Sequence, residues 1–103
     1  MKVLLAVPAI LFATHVAADC SVVRPAEAPE IPSGATATKE EMYSAHTEAQ
    51  AYVDQVQEFL KCREKAITSV EHNFFVDLAL DAAMDYNDEL KVYKRTQEAV
   101  ASN

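Results

Sequence analysis

From Thr38 to Val70 the chain contains neither glycine nor proline, and its apolar side chains recur at alternating steps of three and four residues. Met42, Ala45, Ala49, Tyr52, Val56 and Phe59 set the rhythm, which continues through Arg63, Ala66 and Val70 with one charged interruption. Val53, Leu60 and Ile67 widen the stripe. An α-helix gathers residues so spaced on one face, whereas a strand would scatter them over two. Thr38-Lys39-Glu40-Glu41 matches a capping box, in which the threonine hydroxyl and the Glu41 carboxylate satisfy backbone N–H groups that a helix start leaves unpaired. Acidic residues cluster at this start, and Lys61, Arg63 and Lys65 lie near the far end, as the helix dipole favours.

A second stripe follows in another phase: Val76, Ala79, Ala83, Tyr86, Leu90, Tyr93, Gln97 and Val100. Continuing the first heptad would instead put Asn73, Asp77 and Met84 on the seam. A straight coiled coil does not slip by one residue without a stutter, so the chain is predicted to turn between the stripes. Thr68 to Asn73 holds two possible caps and no Gly or Pro, which places helices over about 38–68 and about 74–100. Folding near residue 71 would set Lys61 and Lys65 beside Asp81 and Asp77, and Glu48 near Lys94. A parallel dimer of one long helix offers no such pairs. Each exposed pair contributes only ~0.2–1 kcal/mol, so the charges bear on orientation more than on stability. The expected fold is therefore all-α: an antiparallel, coiled-coil-like two-helix hairpin over 38–103. Two helices bury a thin seam, which calls for help from a disulfide, from the preceding segment, or from a second copy completing a four-helix bundle.

The opening residues read as a cleaved secretory signal over 1–18. Met1-Lys2 supplies a basic start, Val3 to Ala13 is almost wholly apolar, and small residues end the segment at Ala17-Ala18. The alternative is a retained membrane anchor, against which the short apolar run argues; no second such run follows, so no membrane span is expected in the mature chain. Asp19 before Cys20 speaks against a lipoprotein, where a small residue is required. The chain carries a net charge of −7, and removal of Lys2 would leave −8. Such a balance disfavours nucleic acid and anionic membrane as partners, although an acidic surface also simply maintains solubility. Export would place the protein in the periplasm or the medium.

Export also bears on Cys20 and Cys62, the two cysteines. An oxidising compartment lets them pair within one chain, and closing a loop of about forty residues would contribute roughly 3–4 kcal/mol in the loop-entropy model. Reach allows it: a helix from Thr38 to Cys62 spans about 36 Å, and the eighteen residues before Thr38 extend to about 59 Å. A disulfide between two copies and free thiols remain as alternatives. No CxxC or Cys-His cluster suggests a metal or redox centre. Between signal and helix, residues 19–37 carry Pro25, Pro29 and Pro32, which favour extended geometry, and Ser33-Gly34, a turn signal. A Cys20–Cys62 bond would run this segment back along the first helix, so that Val22, Val23 and Ile31 cover part of the apolar face.

Candidate chemistry is sparse. Asp77, Asp81, Asp85 and Asp88-Glu89 line one side of the second helix, a possible surface for a cation or small basic ligand that more commonly is just a solvated face. EF-hand spacing is missing. Neither His46 nor His72 follows a glutamate by three residues, as the histidines of di-iron bundles do. His72 reads as a turn residue and His46 as a surface residue beside the seam. Ser44, Ser69 and Ser102 lack a nucleophile elbow, so no catalytic residue, cofactor site or metal site is assigned and an enzyme is not expected.

Pro29 to Met42, read as PEIPSGATATKEEM, resembles the signature of small exported bacterial proteins of uncharacterised function. In these an IPxGATATxEEM segment follows a cysteine and leads into a helix with a tyrosine and a second cysteine, here Tyr52 and Cys62. His72-Asn73 and Tyr86-Asn87 are similar to recurring positions further on. The resemblance implies an exported helical protein with paired cysteines and carries no activity. The expected function is a protein–protein interaction or structural module of the cell envelope, its partner an envelope protein or a second copy, with Phe74, Phe75 and Leu78 as the contact patch unless they close the hairpin core. The other expectation is a weak cation or small-ligand binder on the acidic face of the second helix.

Overall fold

A computed structural model of the chain describes residues 24–25 and 27–102. The expected signal segment and its cleavage point, Cys20, Val22 and Val23 lie outside the described residues. Within them the protein is all-α: α1 spans Lys39–Cys62 and α2 spans Ser69–Ala101, packed as an antiparallel hairpin, with no strand among the described residues.

The start of α1 is the one its sequence announces. The Thr38 hydroxyl accepts from the Glu41 amide at 3.1 Å, and the Glu41 carboxylate accepts from the Thr38 amide at 2.9 Å. All six positions of its main stripe before Arg63 are buried: Met42, Ala45, Ala49, Tyr52, Val56 and Phe59. Val53, Leu60 and Ile67 are half-buried at its margins, as the widened stripe predicts.

The far end differs from expectation. α1 stops at Cys62, with Arg63 as its C-cap, and α2 begins at Ser69, five residues before the expected start. Arg63, Ala66 and Val70 are exposed and take no part in the seam. The physical reason is Thr68. It adopts an extended conformation and its side chain accepts from the Glu71 amide at 3.1 Å, a second T-x-x-E start like that at Thr38. Here the glutamate does not return to the cap residue. Its Oε1 faces Arg24 at 3.8 Å instead. Residues between the helices are tied by Ala66 and Ile67 amides donating to the Arg63 carbonyl. Because one side-chain bond carries the start of α2, the Thr68→Ala variant is expected to lose about 1 kcal/mol, read as a lowered thermal midpoint.

The shifted turn changes the register. Phe59 meets Phe75 with ring centroids 4.9 Å apart, and His46 meets Tyr86 at 5.4 Å. Both pairs centre on residues 66–67 rather than 71. Lys61 and Lys65 therefore do not reach Asp81 and Asp77, nor Glu48 Lys94; among the described residues the ion pair formed is Arg24–Glu71. The antiparallel orientation holds, and apolar packing sets it.

The buried stripe of α2 is also turned by one residue. Phe75 and Ala82 are buried, whereas the expected Val76 and Ala83 are half-buried. At Phe75 a third layer adds cover. Residues 24–25 and 27–37, here called the strap, lie along the hairpin, with Arg24 over the Phe75 ring at 5.1 Å and the Gly34 amide donating to Glu89 Oε1 at 2.8 Å. The strap thus runs alongside α2 in the same direction. Phe75 meets Phe59 of α1 on one side and Arg24 of the strap on another, so it is sealed on two sides. Within the strap Pro25 and Gly34 are buried, and Ile31 is half-buried.

Candidate functional site

The strap gives the hairpin two unlike sides. On the covered side, a cavity of about 470 Å³ opens between strap and helices. Arg24, Pro25, Glu27 and Ala28 form its outer wall, and Tyr52, Phe74, Phe75 and Leu78 its inner one. The prolines keep the strap extended, so it bridges the helices without filling the space beneath with a helix of its own.

Tyr52 is the chemically distinct member of this lining. It is 5 % exposed, and its hydroxyl is buried with no hydrogen-bond partner among the described residues. Burial holds its pKa above the ordinary 10.0, so the phenol stays protonated and can donate. An unpaired buried hydroxyl destabilises a fold, and the Tyr52→Phe variant is therefore expected to melt at higher temperature, by a margin corresponding to about 1 kcal/mol. The raised pKa gives a second readout. Above pH 10 the unfolded chain ionises first, so the tyrosine costs the fold further stability as pH rises. Alkaline denaturation should accordingly be shallower in Tyr52→Phe.

The opposite side carries no strap. An apolar groove between α1 and α2 there has a cavity of about 210 Å³ bordered by Val53, Leu60, Val76, Leu80 and Ala83. Leu80 is 54 % exposed, and Met84, one turn further, 58 %. The groove continues past Val53 and Ala83 into a second hollow of about 260 Å³ between His46 and Tyr86, with Gln50 and Asn87 at its edge.

The residues singled out from sequence fall in different places. Phe75 is 2 % exposed and closes the core, Leu78 is half-buried, and Phe74 alone of that trio is open, at 54 %. His72 sits exposed in the first turn of α2, its amide donating to the Thr68 carbonyl at 2.8 Å. His46 is exposed and edge-on to Tyr86. Asp77, Asp81, Asp85 and Asp88 are all exposed, and among the described residues no three His, Cys, Asp or Glu side chains are grouped to hold a metal ion. No described helix is long and apolar enough to cross a membrane.

Sequence reasoning placed Tyr52 on the seam but missed its hydroxyl. The signal was there: a tyrosine at a core position brings a polar tip that needs a partner. Comparison of the chain with protein-family models, curated proteins and solved structures finds no match.

Proposed function

We propose that the protein is an exported helical interaction module whose uncovered groove receives an amphipathic helix, from an envelope protein or from a second copy. One observation carries this reading: the groove bordered by Val53, Leu60, Val76, Leu80 and Ala83, with Leu80 and Met84 left exposed beside it. A groove between antiparallel helices suits a third helix presenting residues at steps of three and four, and two such hairpins face to face make a four-helix bundle. Export follows from the basic, apolar and small-residue order of residues 1–18, and the resemblance of Pro29–Met42 to small exported bacterial proteins accords with it. A Cys20–Cys62 disulfide would anchor the strap at the turn end of the hairpin. Two features support it: the strap approaches Phe75 at Arg24, and Cys62 lies seven residues beyond Gln55 and fourteen beyond Glu48, on the side of α1 that faces the strap.

Light scattering on the eluting protein, paired with the Leu80→Glu variant, tests the groove. A dimer that the variant splits identifies a second copy as partner; a monomer from which an envelope protein is captured, and lost with Leu80→Glu, identifies a heterologous one. A monomer with no groove-dependent partner overturns the proposal. Non-reducing mass spectrometry of the same sample should show a chain starting at Asp19 and lighter by two hydrogens than its reduced form.

A further inference from the structure

We propose that the occupant of the uncovered groove is a second copy of this chain, laid antiparallel across a two-fold axis that passes Met84. This rests on the groove reading above and adds to it the partner and its orientation. Charge carries the argument. Among the described residues, those lining the groove's two hollows include no Asp, Glu, Lys or Arg. Gln50, Gln57 and Asn87 supply the polar edge, so the middle of the face is apolar and neutral, as the core of an interface is. Charged side chains stand at its two ends, and the ends differ in sign. Lys91 and Lys94 follow Asn87 by four and seven residues, and Lys39 precedes His46 by seven, so the open end of the hairpin is basic on this side. Asp77 precedes Met84 by seven, and Asp54 and Glu58 flank Gln57 beside Lys61, so the turn end is acidic on balance. All of these charged side chains are exposed.

A face that is basic at one end, acidic at the other and apolar between is complementary to itself when turned end over end. The charge pairs fix the register. Lys91 meets Asp77 of the second copy when the axis passes residue 84, midway between them. Lys39 meets Glu58 of the second copy when it passes between residues 48 and 49. Those two points lie side by side in the hairpin, because the His46–Tyr86 and Phe59–Phe75 contacts put residue 84 opposite 48–50. One axis therefore serves both pairs. It also sets Met84 against its own copy, where a charged side chain would meet its like and an exposed methionine becomes buried. An axis running along the helices would instead set Lys39 against Lys94 of the second copy, by the same contacts.

Zero-length carbodiimide coupling of lysine to carboxylate tests the arrangement, on an equal mixture of isotopically light and heavy protein sized by light scattering. Mass spectrometry should find Lys91–Asp77 and Lys39–Glu58 links joining light chains to heavy ones. Neither link can form within one chain, since fourteen and nineteen residues of helix hold the pairs about 21 and 28 Å apart. Asp77→Lys should raise the dimer's dissociation constant about tenfold, because two-fold symmetry breaks two pairs at once. Asp77→Lys combined with Lys91→Asp should restore it. A dimer without these links, or one indifferent to the charge swap, overturns the proposal while leaving the groove as an interaction face. A monomer that captures an envelope protein through Leu80 overturns it in the same way, since the occupant is then heterologous. A monomer with no Leu80-dependent partner overturns the groove reading and this inference together.

Discussion

The Phe59→Ala variant is expected to lose cooperative folding altogether. Phe59 is 1 % exposed, the most deeply buried large side chain together with Val56, and its ring meets Phe75 at 4.9 Å where the two helices come together beside the turn. Removing a buried phenylalanine ring costs about 3–5 kcal/mol, through lost transfer free energy and the cavity left behind. A domain this small has only about 3–5 kcal/mol of core stability in all. The buried set is short, and Leu60, Ile67, Leu78 and Ala79 close only its edges, so little can collapse into the gap. Far-UV circular dichroism should show a broad, non-cooperative thermal transition. Phe74→Ala makes the control: that ring is 54 % exposed, and its loss should move the midpoint only slightly. Equal behaviour of the two variants would show that the core is not centred on Phe59.

Gly34→Ala should act differently, releasing the strap while leaving the hairpin helical. A Cβ at this position would be driven into the Glu89 carbonyl oxygen and would lie 2.7 Å from the Tyr93 backbone nitrogen. Both obstacles are helix backbone, which cannot swing aside as a side chain can. The strap must therefore lift from α2, breaking the bond from the Gly34 amide to Glu89 and uncovering Pro25 and Ile31. Overpacking of this kind costs about 1–3 kcal/mol. Hydrogen exchange at the Gly34 amide should accelerate, and proteases should cut within 27–33, while the helical signal is retained. Unchanged protection of that amide would mean that the strap tolerates the methyl and does not sit as closely as described.

The glycine shows why reading the chain goes only part of the way. Ser33-Gly34 reads as a turn, and the turn is present, with the Thr36 and Ala37 amides donating to the Ser33 carbonyl. Yet no glycine among the described residues has a positive φ, so the residue is not required for its backbone freedom. It is required because another helix lies against it, and that helix is fifty-five residues away in sequence at the Gly34–Glu89 contact. No local pattern encodes such proximity.

What the sequence determined by itself is the set of features written within a few residues of one another. The start of α1 at Thr38 and its six-residue buried seam follow from a capping box and a three-four spacing, and the return through α2 from the phase slip between two such stripes. The T-x-x-E at Thr68 was of the same kind and legible too, but the continuing rhythm at Arg63, Ala66 and Val70 outweighed it, and the turn was placed too late. Tertiary structure alone decided the rest. Burial on α2 falls on Phe75 and Ala82 rather than on Val76 and Ala83, and at Phe75 the strap's Arg24 supplies part of the cover. The strap also forms the outer wall of a hollow that Tyr52 lines, while the groove between Val53 and Leu80 is bordered by the two helices alone. A helix's periodicity says which face is apolar; which part of that face is buried depends on what lies against it, and here that is a segment with no periodicity to read.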